Sequence, residues 1–558
     1  MIETIGKVKL NYEYYNGDDL YSDGDYIEDR LLDICMGGEK EIEHELLESR
    51  EWSSLYHLSD VRKNIIEWYD FKQGASVLEI GSGCGAISGI LSEKSDKLVC
   101  VELSKKRSLI NAYRNSQCEN MEILVGNFED INFEEKFDYI TLIGVLEYAQ
   151  SYINSDNPYE EFLTKIKKYL KIDGKIIIAI ENKIGLKYLN GAKEDHVRKP
   201  FVGIEDYKGV DWVRTFTKKE LEKMFKRCGI DEYKFYYPYP DYKLPSAIYS
   251  DEYLPKKGDI RIWGKNYDTV RLSMYSDAIF ADQICNEGLY PYFANSFLII
   301  CGEKNYKYKF IQYSNERKRE YQTKTIITDS DKKEVVKKKY LYNKERQYDI
   351  MQTMNDKQKK LNDQFANVEY LFNEIDKDGI SYSFLNGEYL DNEIAEYAHK
   401  TDLMIEKIKQ VMKYIYKVNN VNEFKISKEF VDVFGEVNIK GKEYSLAVTN
   451  VDMIFQNIID TRGKMVCFDY EWIFEFPVPI GFLKYRSGIY FYSKYSTYFS
   501  HKMNRNTFLE KIGVSKENLF AFEKMENALQ KFVKGKNENF DSVQRYSKAR
   551  GTFIIKGL

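Results

Sequence analysis

The sequence predicts an α/β chain in two parts: a parallel β-sheet covered by helices, then an α+β domain of different character. Three observations predict it. Apolar, strand-like runs alternate with helical segments between about residues 76 and 182. A glycine-rich turn, Gly81-Ser82-Gly83-Cys84-Gly85, directly follows the first of these runs. Near residue 305 the alternation gives way to closely spaced strands.

Each element follows in order. Residues 1–60 are polar and aromatic and read as a lead-in packed on the first domain, with a helix over 39–50. The opening stretch has no basic segment followed by an apolar run, so no signal peptide is expected there. SVLEIG at 76–81, KLVCVEL at 97–103, MEILVGN at 121–127, FDYITLIGVLEY at 137–148 and GKIIIAIEN at 174–182 read as five strands, the last introduced by a turn at Asp173-Gly174. Helices over 86–94, 105–118 and 159–170 separate them. Residues 183–300 are mixed and rich in tyrosine. After the boundary, YKYKFIQYS at 306–314, EYQTKTIIT at 320–328 and KEVVKKKYL at 333–341 read as antiparallel strands, and 343–360 as a helix. The expected division is 1–60, 61–240, an extension or connector at 241–303, and 304–558.

Composition narrows the function. A charge of -5, from 83 basic and 88 acidic residues, argues against a dedicated nucleic-acid binder. Eight cysteines without a CxxC pair read as reduced thiols. No apolar run is long enough to cross a bilayer, so a transmembrane segment is not expected. The Lys-rich stretch 332–346 reads as a solvated strand edge.

Glycines after a first strand let backbone turn tightly against a ligand at the carboxyl ends of the strands. Gly81, Gly83 and Ala86 also satisfy GxGxxA, which admits a dinucleotide. Three features favour S-adenosyl-L-methionine over nicotinamide. Glu79 precedes the glycines, where a carboxylate organises a loop facing a cationic amino acid. Glu102 ends the second strand, where an acid accepts both ribose hydroxyls. Asn127, Phe128, Glu129 and Asp130 follow the third, where an amide or acid meets the adenine amine.

This set, with Gly85 completing the turn, resembles the Rossmann-like class I S-adenosylmethionine-dependent methyltransferases over about residues 60–235. The family commonly has Asp at the adenine contact; here Asn127 stands there, or the role falls to Asp130. Transfer to an oxygen of high pKa needs a general base. The candidates after strands four and five are Glu147, Tyr148, Asn182, Asp195 and His196, of which Glu147 and His196 are the preferred catalytic pair. The strings ENKIGLKYLNGAKEDH (181–196), FVGIEDY (201–207), RTFTKKEL (214–221), YPYPDYKLP (237–245), SDEYLP (250–255) and FANSFLII (293–300) resemble bacterial methyltransferases encoded beside surface-polysaccharide glycosyltransferases. That resemblance implies a sugar or sugar-phosphate acceptor, and the tyrosines of 231–300 would suit sugar rings.

A second constellation lies in the last third. Asp452, Asn457 and Asp469 have the order and spacing of a phosphotransferase core: one carboxylate for the acceptor hydroxyl, an amide and a second carboxylate for magnesium. Upstream, Lys337 would meet nucleotide phosphates and Glu345 would pair with it. Together with YSFLNGEYL (382–390), these resemble the protein-kinase-like fold of aminoglycoside and choline kinases, which implies ATP and magnesium. No Gly-rich loop precedes them, Asn450 replaces a His, and Asp469-Tyr470-Glu471 replaces Asp-Phe-Gly.

The layout resembles bifunctional methyltransferase/kinases that cap bacterial O-antigen chains. It implies a cytoplasmic enzyme, peripheral to the inner face of the membrane, that methylates a saccharide or lipid-linked glycan and phosphorylates or binds it. The alternatives are a non-catalytic kinase-like scaffold docking the methyltransferase to glycosyltransferases, and an NAD-dependent sugar-modifying enzyme.

Overall fold

A computed structural model describes residues 1–17, 23–261, 271–330, 333–342, 344–376, 379–535 and 552–554. The chain forms two compact units: Met1–Pro255 with Ile262–Asn315 and Glu538–Leu558, and Lys256–Arg261 with Glu316–Asn537. The units part at residue 315, not at 303 as the change of pattern suggested.

The first unit is built on strands β1 (Ile2–Ile5), β2 (Val8–Asn11), β3 (Ser76–Ile80), β4 (Lys97–Glu102), β5 (Met121–Val125), β6 (Phe137–Ile143), β7 (Leu170–Glu181), β8 (Tyr233–Tyr239), β9 (Ala247–Ser250), β10 (Ser296–Cys301) and β11 (Tyr308–Tyr313). Their order in the sheet is β1-β2-β5-β4-β3-β6-β7-β10-β8-β9-β11. The strands from β2 to β7 are parallel neighbours. Val77, Leu78, Ile140, Leu142 and Ile176–Ile180 are buried, as parallel strands covered on both faces require.

Two features depart from the expectation. β10 runs antiparallel between β7 and β8, so residues 241–303 are no appended connector; they supply an interior strand. The turn expected at Asp173-Gly174 is a bulge within the 12-residue β7, where Phe137 pairs with Leu170 but Tyr139 pairs with Lys175.

The lead-in belongs to the fold. β2 pairs with β5, and helices α1 (Asp25–Gly37) and α2 (Glu39–Glu48) lie between β2 and β3 in the chain. Helices α3 (Ser88–Glu93), α4 (Lys105–Arg114) and α5 (Pro158–Lys168) connect later strands. Leu31, Cys35, Leu46, Leu58, Cys84 and Ile110 form one cluster, joining the lead-in to the glycine turn and α4. Buried Glu28 clamps Arg107 of α4 at 2.8 Å. The tyrosines of 231–300 are largely core: Tyr236, Tyr237, Tyr242 and Tyr290 are buried, which corrects their reading as a sugar-facing surface.

In the second unit, β12 (Thr323–Ser330), β13 (Lys333–Tyr340), β14 (Glu374–Asp376) and β15 (Gly379–Ser383) form antiparallel pairs, and helix α6 (Lys344–Gln364) lies between β13 and β14 in the chain. The Lys-rich strand β13 pairs on both sides, with β12 and β15. It is interior and not the edge its charge suggested, because lysines on its open face stay hydrated while Val336, Lys338 and Tyr340 turn inward. The remainder is mostly helical.

Candidate active site

The order β5-β4-β3-β6-β7 reverses at β3, which places a crevice at the carboxyl ends of these strands. A cleft of the first unit lies there. Its walls are the turn 80–84 after β3, Glu102 and Leu103 after β4, Gly126 to Glu129 after β5, and Gly144, Val145 and Tyr148 after β6.

Gly81 and Gly83 both have positive φ, at 71° and 54°. A Cβ on Gly81 would lie 2.6 Å from Val145, whereas one on Gly83 would project into open space. Gly83 therefore faces the cleft. Its amide donates to Glu102 Oε2 at 2.8 Å, and the Ser104 amide donates to Glu102 Oε1 at 3.0 Å. Glu102 is buried; desolvation raises its pKa, against the pull of Arg107 and the two amides. Glu79 is also buried, accepting from Ser88 at 2.6 Å, and desolvation lifts its carboxyl to about 7.

After β5, Asn127 Oδ1 accepts from the Glu129 amide at 3.0 Å, and Phe128 is buried against Phe162. Both line the cleft. Two expectations are corrected. Asp130 is exposed and outside the cleft, because the turn directs Asn127, Phe128 and Glu129 inward. Gly85 is outside it too; a Cβ there would collide with Asn111 of α4, so that glycine serves helix packing.

Beside the cleft lies a buried cluster after β6 and β7. His196 Nε2 is 3.5 Å from Glu181 Oε2 and 3.9 Å from Glu147 Oε1, while Nδ1 pairs with the Tyr148 hydroxyl at 2.7 Å. Tyr148 lines the cleft and so links it to the cluster. Burial and the neighbouring Glu181 raise the Glu147 carboxyl to about 8. Burial opposes charge on His196, but Glu181, Glu194 and Glu147 outweigh it and lift the imidazole to about 9. Glu181 lies well below the usual carboxylate range: burial opposes its ionisation, and Lys243 and His196 overcome that. Of the other candidates, Asp195 pairs with Lys187 and Lys243 at 2.8 Å each. Asn182 Nδ2 donates to the Tyr292 and Ala294 carbonyls, a structural role.

Sequence reasoning named Glu147 and His196 as catalytic candidates but missed Glu181, at the end of the fifth expected strand. It also missed Asp23, Tyr56, His57 and Arg62, which line the cleft from the lead-in side. Asp23 Oδ2 bridges His57 at 2.8 Å and Arg107 at 2.9 Å, contacts that cross 34 and 84 residues of chain.

In the second unit the inward lysine of β13 is Lys338 and not Lys337. Alternation turns neighbouring residues to opposite faces, and Lys338 is buried while Lys337 is half-buried. Lys338 Nζ reaches Asp469 at 3.2 Å and Glu471 at 2.5 Å. Glu345 lies in the first turn of α6, and its side chain is outside the described residues. Asp452 Oδ1 accepts from buried Arg486 at 3.0 Å. Asn457 donates to the Asp452 carbonyl at 2.9 Å, and Asn450 donates to the Asp469 carbonyl at 3.1 Å. Asn457 is thus tied to Asp452, and Asn450 to Asp469, by side-chain amides on main-chain carbonyls.

Residues 78–178 match the family described as "Methyltransferase domain". Among curated proteins, ribosomal RNA small subunit methyltransferase A of Borrelia garinii subsp. bavariensis is 25% identical over 135 residues, 23% of this chain and 48% of that protein. The protein of that name from Malacoplasma penetrans is 26% identical over 140 residues, 24% and 47% of the two chains. The chain spans about half the length of these curated relatives. Among solved structures, Haemonchus contortus phosphoethanolamine N-methyltransferase 1 with phosphoethanolamine and S-adenosylhomocysteine is 18% identical, covering 29% of this chain and 35% of that one at a TM-score of 0.22. An S-adenosylmethionine-dependent methyltransferase from Clostridium acetobutylicum is 18% identical, covering 28% and 74% at a TM-score of 0.22. Residues 78–178 are thus matched as a methyltransferase domain.

Proposed function

We propose that the first unit methylates an oxygen of a cell-surface glycan precursor, a sugar or sugar-phosphate hydroxyl. The observation that carries this is the hydrogen bond between cleft-lining Tyr148 and His196, which joins the donor cleft to the Glu147–Glu181–His196 cluster. An alcohol is a weak nucleophile until its proton is drawn away, so an oxygen acceptor needs polar machinery beside the donor.

S-adenosylmethionine, when bound, supplies an electrophilic methyl group. The residues present fit it. Glu102 is held by two backbone amides at the end of β4, where its carboxylate would meet ribose hydroxyls. Gly83 leaves room for close approach, and Asn127 and Phe128, which line the cleft, would flank the adenine. Glu147, Glu181 and His196 polarise the incoming hydroxyl, and Lys243 and Lys187 keep the surrounding acids in place. Alignment of acceptor and donor supplies much of the rate.

The second unit, in this proposal, is a kinase-like module that binds the same glycan and phosphorylates it with ATP and magnesium at Asp452, Asn457 and Asp469. The Lys338–Asp469 pair supports it. The grip of Arg486 on Asp452 favours the second reading, a module that binds glycan or docks glycosyltransferases without phosphotransfer. Both readings place the protein in the cytoplasm, peripheral at the membrane's inner face; among the described residues no helix is long and apolar enough to cross a membrane.

Mass spectrometry of surface glycan from cells with and without the gene tests this. Loss of one methyl group is expected, with loss of one phosphate if the second unit is active. Unchanged glycan, with methylation of ribosomal RNA by the purified protein, would overturn it.

A further inference from the structure

Among the described residues, one place brings ligand atoms of three His, Cys, Asp or Glu side chains within 4.8 Å of one another: Glu147, Glu181 and His196. Proximity of acids alone is not a site. Here both oxygens of Glu147, Oε2 of Glu181 and Nε2 of His196 are buried without a hydrogen-bond partner. The two glutamates are fully buried and the His196 side chain is 9% exposed. Unpaired buried polar atoms are costly, so one from each of these three residues, gathered within 4.8 Å, mark a place for a cation.

The opposite atoms of these groups are already held. Glu181 Oε1 is bound by Lys243, and His196 Nδ1 by Tyr148. With its proton on Nδ1, the imidazole would turn its Nε2 lone pair toward both glutamates, the arrangement that outer partners impose on metal ligands. The separations of 3.5 and 3.9 Å need little adjustment, since bonds of about 2.0–2.2 Å hold neighbouring donors about 3–3.5 Å apart.

Charge points the same way. Glu147, Glu181, Glu194 and Asp241 are buried and Asp195 is half-buried, and the lysines paired with these acids are Lys187 and Lys243. Ligation needs Glu147 ionised and His196 neutral; five carboxylates then face two ammonium groups, and one divalent cation, displacing those protons, would offset most of the excess.

We infer that Glu147, Glu181 and His196 bind one divalent first-row cation, of the Mn2+ or Zn2+ class, with positions left open for oxygens of the acceptor. Two carboxylates and an imidazole without a thiolate suit such ions. A cation there would lower the pKa of a bound hydroxyl, as metal-bound water illustrates. This deepens the methyltransferase reading and rests on it.

The test uses the full chain, stripped with a chelator and titrated with Mn2+ by electron paramagnetic resonance. Calorimetry with S-adenosylmethionine is run on the same samples. One equivalent of Mn2+ is expected, carrying the nitrogen modulation of a bound imidazole. Glu147→Gln and His196→Gln should each weaken it by about 10-fold or more, with S-adenosylmethionine binding retained. Absence of Mn2+ and Zn2+ binding in the wild type, or of the nitrogen signal, overturns the cation site. Equal Mn2+ affinity in both variants does the same. The nitrogen signal needs no variant to fold. Donor binding without metal removes the cation and leaves the methyltransferase reading standing; a wild type that binds no donor removes that reading instead.

Discussion

Glu102 Oε2 accepts the Gly83 amide hydrogen at 2.8 Å, tying the end of β4 to the glycine turn after β3. The carboxylate thus fixes the turn and stays in the cleft wall beside it. Glu102→Ala should weaken S-adenosylmethionine binding by about 10- to 100-fold, the worth of hydrogen bonds to a charged group. Gly83→Asp should abolish it, because a side chain there enters the cleft from a backbone of positive φ. Calorimetry checks both; unchanged affinity in either variant would place the donor elsewhere.

Tyr148 joins the cleft to His196 through its hydroxyl. Tyr148→Phe keeps the ring in the wall and deletes only that bond. The expected result is a fall in kcat of about 5- to 10-fold, the value of one hydrogen bond of about 1 kcal/mol. The donor Kd should stay within about 3-fold. A change confined to donor Kd would make Tyr148 a wall residue and nothing more.

Much of this site was legible because its parts are local. The glycine turn, Glu102, Asn127 and Phe128 each follow a strand directly, and strand ends are readable from apolar runs. What escaped depends on distant chain. Asp23 is held at the cleft wall by His57 and by Arg107 of α4, which Glu28 also grips. Glu181 acquires its meaning from His196 and Lys243, which loops bring to it. The Lys337–Lys338 choice failed for another reason: three successive lysines carry no polarity contrast, so they cannot show which face of β13 points inward.

That register gives a paired test. Lys338 is buried against Asp469 and Glu471, and removing one partner of a buried ion pair costs about 3–5 kcal/mol. Lys338→Met should therefore lower the denaturation midpoint of the second unit strongly, and Lys337→Met should leave it nearly unchanged. If the unit binds ATP, the same contrast should appear in nucleotide affinity. Equal effects of the two substitutions would refute the assigned register.

Glu79 makes the apo protein sensitive to alkali. Its carboxyl, lifted by burial from an ordinary 4.5 to about 7, keeps a proton in the folded state that the unfolded chain has lost. Below pH 4.5 both states are protonated and no cost arises. Between pH 4.5 and 7 the unfolded state binds fewer protons, so this residue lowers stability as pH rises, and the full penalty is present above pH 7. A shift of that size corresponds to about 3 kcal/mol. Glu79→Gln stays neutral and can still accept from Ser88, so it should escape the penalty. Its unfolding free energy should match the wild type near pH 4.5 and exceed it by up to about 3 kcal/mol near pH 8, in urea titrations of the ligand-free protein. A constant difference across that range would show that Glu79 is ionised in the folded state throughout, and that the glycine turn is built around a charge.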